Sequence, residues 1–162
     1  MNIALISQGR PILGVVHAPV PNSTYLAAAG MGAFEQSGNQ QRHPIAVANH
    51  PPNSPWRVVG SRSHGGDLLT AFLSRLGKCE LIPMGSSLKF CLVAAGFADL
   101  YPRLGPTSLW DTAAAQCVVE QAGGVVIDAN GVALSYANPG QIINPHFLAA
   151  AVHDSALSKL LG

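Results

Sequence analysis

The chain has 162 residues, 48% of them hydrophobic and 10% charged, with a formal net charge of +1. The near-neutral balance excludes a broad nucleic-acid surface, so any nucleotide has to be held in a pocket. No apolar run reaches the roughly 18 uncharged residues needed to span a bilayer, and the length suits one domain-sized unit with a large buried fraction.

The segment NIALISQGRPILGVVHAP is two apolar runs broken at Gln8-Gly9-Arg10-Pro11 and predicts a β-hairpin. TYLAAAGMGAFEQSG continues with short strands and glycine turns, and Ile45-Ala46-Val47 reads as a further strand. NHPPNSP is a loop by its prolines, and WRVVGS is a strand. GGDLLTAFLSRLGK places Leu68, Leu69, Phe72, Leu73 and Leu76 at helical spacing with Gly77 as its stop. CELIPMG is a short strand, and SSLKFCLVAAGFA is a helix capped by Ser86 or Ser87. DLYPRL is a strand, SLWDTAAAQCVVEQAGG a helix ended by Gly123-Gly124, VVIDANG a strand and turn, and FLAAAV a strand. DSALSKLLG is a terminal helix capped by Asp154 or Ser155.

Residues 1–50 therefore read as an antiparallel β part, and residues 56–162 as an α/β part in which strands and helices alternate, an α/β layered pattern. The three cysteines, Cys79, Cys91 and Cys117, have no metal spacing and read as core packing. With no secretory leader in MNIALISQGRPILGVV, the expectation is a cytoplasmic protein with free thiols, compatible with peripheral contact at a membrane.

Four places carry candidate chemistry. Asp111 lies three and four residues ahead of Ala114 and Ala115, on a stripe continued by Val118, Val119 and Ala122, so the spacing predicts that it projects inward. It reads either as an acidic first-turn residue favoured by the helix dipole or as a ligand, since an unpaired inward carboxylate is costly. Gly85-Ser86-Ser87 ahead of Lys89 reads either as ordinary serine capping or as an anion site. The loop GSRSHGG follows a strand end, where ligands bind in α/β folds; Arg62 and His64 there either meet a ligand or belong to a polar loop. Arg103 ends a strand eight residues before Asp111 and either pairs with that carboxylate or binds phosphate.

Taken together these stretches are more specific than any one alone. WDTAAAQCVVEQAGG resembles the second signature of the inositol monophosphatase superfamily, W-D-x-A-A followed by A-G-G. GSSLKFCLVAAGFADLYPR is similar to the 3'(2'),5'-bisphosphate nucleotidase branch of that superfamily, and NIALISQGRPILGVVHAP and VVGSRSH fit in order. The resemblance runs over nearly the whole chain and corresponds to the C-terminal part of such proteins. It implies the αβαβα layered sandwich of the sugar phosphatases, without its N-terminal part. It implies Mg²⁺-dependent removal of the 3'-phosphate from adenosine 3',5'-bisphosphate, with inositol monophosphate as the alternative substrate within the superfamily. On the same basis Asp111 matches a metal ligand that also touches substrate. His64, Ser86, Lys89 and Arg103 match positions that contact the nucleotide.

The superfamily's other signature, D-P-[LI]-D-G-T, does not occur here. All eight acids are Glu35, Asp67, Glu80, Asp99, Asp111, Glu120, Asp128 and Asp154. A two-metal phosphatase needs several oxygen ligands around ions about 3.5–4 Å apart, which one aspartate cannot supply. The expectation is a shortened member with little or no hydrolysis. Two other readings are a non-catalytic module that keeps the adenosine-bisphosphate contacts and a homodimer that covers the open hairpin edge at residues 2–18.

Overall fold

The computed structural model describes residues 1–61, 66–138 and 140–162. The hairpin forms as β1 (Asn2–Ser7) and β2 (Arg10–Ala18). Its turn is tighter than the sequence suggests. Only Gln8 and Gly9 lie outside the strands, at φ 48° and 74°, the left-handed pair of a type I′ turn, whose twist matches that of the flanking strands. Arg10 and Pro11 belong to β2, and Pro11 pairs with Ile6 beside a register shift. A bulge tolerates proline because the ladder is interrupted there.

β3 (Ser23–Ala28), β4 (Gly32–Ser37) and β5 (His43–Ile45) complete an antiparallel meander in the order β1-β2-β3-β4-β5. The strand expected at Ile45-Ala46-Val47 is displaced. It ends at Ile45, and Val47 instead donates its N–H to the Ala122 carbonyl at 3.0 Å.

The second sheet follows, with β6 (Trp56–Gly60), α1 (Gly66–Leu76), β7 (Cys79–Pro83), α2 (Leu88–Ala94), β8 (Leu100–Arg103), α3 (Leu109–Gln121), β9 (Val125–Asp128) and β10 (Phe147–Ala150). α4 (Ser155–Ser158) and a 3-10 turn (Lys159–Leu161) close the chain. The strand order is β7-β6-β8-β10-β9; β6 runs parallel to β7 and β8, and β10 runs antiparallel to both its neighbours. The expected stops are in place. Gly77 and Gly123 have φ of 89° and 94°, where a side chain would be strained, and Asp154 accepts the Ala156 N–H at 2.8 Å.

The elements stack as first sheet, α2 with α3, second sheet, then α1 with the C-terminal turns. One core lies between the sheets. It joins Val16, Tyr25 and Ala27 of the first sheet to Phe90, Ala114, Cys117 and Val118 of the helices, and to Val59, Tyr101 and Phe147 of the second sheet. A second core on the far face joins Val58, Leu100 and Leu148 to Phe72, Leu157 and Leu161. The central strands of the second sheet are thus buried on both faces, which is why FLAA reads as a continuous apolar run rather than as alternation.

α3 is buried on every side from Thr112 to Val119, because it lies between two layers. The predicted stripe of Ala114, Ala115, Val118, Val119 and Ala122 is buried, but so are Thr112 and Gln116 opposite it. Close approach of α3 to β2 depends on Gly14, where an added Cβ would stand 2.1 Å from the Ala114 carbonyl oxygen.

The link between the sheets is tied to the second one by a buried carboxylate. Asp99 is fully buried and accepts from the Arg57 backbone N–H at 2.8 Å, from Nε at 3.2 Å and from Nη2 at 2.7 Å. His50 Nδ1 lies 3.3 Å from the same carboxylate, and its ring stacks on Trp56 with centroids 3.7 Å apart. Burial pushes the Asp99 carboxyl upward, but the bonds and charge of Arg57 outweigh it and hold the group below the usual range.

Two surfaces stay open. β1 is an edge strand, and the face of the first sheet away from α3 presents Ile3, Leu5 and Leu13 to solvent, at 52%, 55% and 37% exposure. Among the described residues, no helix is long and apolar enough to cross a membrane.

Candidate functional site

β8, α2 and α3 aim their first or last residues at one place. On β8, Tyr101 and Arg103 are two residues apart and share a face of the strand. Lys89 stands in the first turn of α2, and Asp111 in the first turn of α3. With Ser86, Ser87, Thr107 and Asn2 they line a pocket of about 290 Å³. A larger cleft of about 540 Å³ adjoins it, lined by Gly60, Ser61, Gly66, Leu69 and the Pro102–Pro106 stretch. Lys89, Tyr101 and Arg103 line both spaces, so two cations stand at the waist between a small polar lobe and a larger one.

Lys89 is not the exposed lysine of an ordinary capped helix. It is 6% exposed, and its ammonium lies 5.2 Å above the Tyr101 ring. Burial, together with the charge of Arg103, lowers its pKa. A largely desolvated ammonium beside a second cation is costly, and an arriving anion relieves that cost. The Tyr101 phenol is pushed up to about 12 by burial, against the opposing charge of Arg103, so it stays neutral.

Arg103 makes no ion pair with Asp111. Its Nε donates to Thr107 Oγ1, and its Nη2 donates to the Pro106 carbonyl at 2.7 Å. These bonds fix the plane of the guanidinium at the waist. Pairing with Asp111, the alternative left open by the sequence, is not the arrangement found.

The inward projection expected of Asp111 is overturned, because the residue is exposed. Distance along the helix axis decides this rather than helix face. α3 is enclosed only from Thr112 onward, and its first turn extends past the core into the mouth of the small lobe. An acid at this end complements the helix dipole and needs no buried partner, which leaves the carboxylate accessible to a ligand.

The serines also differ from expectation. Ser87 occupies the N-cap position of α2 in a helical conformation and makes no capping bond, and Ser86 has a φ of 53°. Ser87 Oγ is engaged elsewhere. It accepts from Asn2 Nδ2 at 2.9 Å and donates to the Asp111 carbonyl at 3.4 Å, joining β1, α2 and α3 at the pocket rim. His64 and Arg62 lie outside the described residues; Ser61 and Gly66, which flank them in sequence, line the larger lobe.

Mg²⁺ does not fit these residues by themselves. Among the described residues, no three His, Cys, Asp or Glu side chains gather into a cage. Asp111 brings the one carboxylate among the described residues lining this pocket, beside two cations and neutral hydroxyls, whereas a pair of hard divalent cations requires several anionic oxygens.

Sequence reasoning missed Tyr101, Thr107 and Asn2. Tyr101 was within reach, since a residue two positions before Arg103 on a strand shares its face. Thr107 and Asn2 carry no local signal, because tertiary packing alone brings them to the pocket.

Comparison with known proteins gives the family. Residues 1–160 match the model of the inositol monophosphatase family. The chain is 48% identical over 147 residues to a 3'(2'),5'-bisphosphate nucleotidase CysQ of Salmonella typhimurium, covering 91% of the chain and 58% of that relative. It is 47% identical over the same span to the CysQ of Escherichia coli K12, again covering 58% of that protein. The crystal structure of CysQ from Bacteroides thetaiotaomicron is similar with a TM-score of 0.83 at 34% identity, over 93% of this chain and 62% of that one. An inositol monophosphatase from Anabaena is similar with a TM-score of 0.75 at 26% identity, over 99% and 64% of the two chains. The chain thus spans about three fifths of the length of these relatives. By its match to the family model over residues 1–160 and by its architecture, the chain belongs to the inositol monophosphatase family.

Proposed function

We propose that this chain supplies the substrate-holding part of a 3'(2'),5'-bisphosphate nucleotidase site that takes adenosine 3',5'-bisphosphate. The observation that carries this reading is the waist of the cleft, where Lys89 and Arg103 face both a small polar lobe beside Asp111 and a larger lobe. A ligand with phosphate groups to meet the two cations and a bulky organic group for the larger lobe suits that shape. The similarity to nucleotidases at 48% and 47% identity supports the nucleotide over inositol monophosphate, the alternative within the family.

The geometry supports the following roles. Arg103, held by Thr107 and the Pro106 carbonyl, offers fixed donors to phosphate oxygens. Lys89 adds a charge strengthened by its dry surroundings. Ser86 lines the pocket between these groups and Asp111. Asp111, at the positive end of α3, would share a metal with further ligands. Mg²⁺-dependent hydrolysis needs carboxylates beyond those described here. The protein is expected to act in the cytoplasm on a small molecule rather than on a nucleic-acid polymer.

Calorimetry tests the reading. Adenosine 3',5'-bisphosphate is expected to bind without Mg²⁺, more tightly than inositol 1-phosphate, and binding weakens in Lys89→Ala and Arg103→Ala. Absence of heat with the nucleotide at millimolar concentration would sink it. Phosphate release with Mg²⁺ is expected to be low, and rapid release lost on Asp111→Asn would overturn that part alone. Self-association is a second reading, favoured by the uncovered Ile3, Leu5 and Leu13 beside the free edge of β1. A monomer in sedimentation at high protein concentration argues against it.

A further inference from the structure

We propose that Asn144 is a positioning residue that sets Arg103 relative to Asp111. It lies on the segment before β10 and touches neither lobe of the cleft beside the waist. That segment runs antiparallel to the loop that grips Arg103. Leu109 donates its N–H to the Ile142 carbonyl at 2.9 Å, and Asn144 donates its own N–H to the Thr107 carbonyl at 2.8 Å. The Asn144 side chain doubles this hold. Its Nδ2 donates to the same Thr107 carbonyl at 3.0 Å and to Thr112 Oγ1 at 3.1 Å.

Thr107 is the residue whose hydroxyl accepts from Arg103 Nε, and Thr112 is the residue after Asp111. One amide group therefore bridges the grip on the guanidinium and the helix turn that carries the carboxylate. The Thr112 end is itself restrained. Its hydroxyl donates to the Leu109 carbonyl at 3.1 Å and lies 3.0 Å from the Tyr136 hydroxyl, which donates to Gln116 Oε1 at 2.6 Å. Asn144 is 7% exposed, so water does not substitute for its bonds at little cost. A carboxylate of the same shape cannot replace it, because it would turn oxygen lone pairs toward the Thr107 carbonyl.

The test uses Asn144→Asp, which keeps shape and removes the side-chain donors, and Thr112→Val, which keeps shape and removes the helix end of the bridge together with the Thr112 hydroxyl's contacts to the Leu109 carbonyl and Tyr136. Arg103 Nε–H is read directly by ¹⁵N NMR. The expected result is a resolved, slowly exchanging signal in the wild type that moves to the position of a free arginine in Asn144→Asp and partway in Thr112→Val. The second readout rests on the nucleotide reading. Affinity for adenosine 3',5'-bisphosphate falls about tenfold in Asn144→Asp, as expected for a misplaced charged donor. That loss vanishes when Arg103→Ala is already present, whereas a purely structural role keeps it additive. An unchanged Arg103 signal in the variants, or additive losses, overturns the proposal. If Asn144→Asp does not fold, the Arg103 signal of Thr112→Val decides. If the wild type binds no nucleotide, that reading falls, and the Nε–H signal still decides the role of Asn144.

Discussion

Replacing Lys89 by methionine is expected to move stability and binding in opposite directions. Methionine keeps the apolar stem that packs beside Tyr101 and removes the ammonium. In the folded state Lys89 is 6% exposed, and its ammonium lies 5.2 Å from the centroid of an aromatic ring with Arg103 as its charged neighbour. Relief of desolvation and like-charge repulsion is worth about 1–3 kcal/mol, and loss of the cation–π contact costs about 0.5–1 kcal/mol. The net expectation is a variant more stable by about 1 kcal/mol at pH 7, read from urea unfolding. The pH dependence has a definite sign. The folded-state pKa of Lys89 lies below its unfolded value, so in the window between them the unfolded chain binds more protons and wild-type stability rises with pH. The advantage of Lys89→Met is therefore greatest near neutrality and fades as pH rises through the ordinary lysine range at about 10.4. Binding moves the other way. Losing a charge-assisted contact to phosphate weakens adenosine 3',5'-bisphosphate by about 10- to 100-fold. A variant less stable by about 1 kcal/mol would refute the reasoning, as would unchanged nucleotide affinity, because either would mean that Lys89 is a packing residue.

Two further substitutions test the frame that carries the site. Asp99→Asn leaves Arg57 and His50 facing a neutral amide and is expected to cost about 3 kcal/mol at pH 7, toward the lower end for a broken buried pair because the Arg57 side chain is 36% exposed. Asp99 is depressed in the folded state, so its contribution is present above the unfolded aspartate value of about 3.9 and is lost as pH falls below it. Urea unfolding at pH 7 and pH 3 should show the gap to wild type closing, and a gap that stays constant assigns the effect to packing. Gly14→Ala places a Cβ 2.1 Å from the Ala114 carbonyl oxygen and 2.8 Å from Cys117 Cβ, so α3 must shift from β2. The expected loss is about 3 kcal/mol by thermal unfolding, and a fall in Tm of less than about 2 °C would show that the contact yields easily.

Local chemistry made much of the fold legible. Gln8-Gly9, Gly77, Gly123 and Asp154 act within a few residues of themselves, through backbone angles or a capping bond, so their turns and ends are written in adjacent positions. WRVVGS and FLAAAV read as strands, and β6 and β10 form there. The family signature WDTAAAQCVVEQAGG and the stretch GSSLKFCLVAAGFADLYPR located Asp111, Lys89 and Arg103, and the structure brings all three to one pocket. Tertiary structure alone decided how those residues are used. Helical spacing turned Asp111 inward, but spacing describes only the angle around an axis, and where the neighbouring layers end left the residue exposed. The same layering buried Lys89, gave Arg103 to Thr107 rather than to Asp111, and brought Asn144 onto both Thr107 and Thr112. Those outcomes depend on contacts between residues far apart in the chain, whose distances no local pattern encodes.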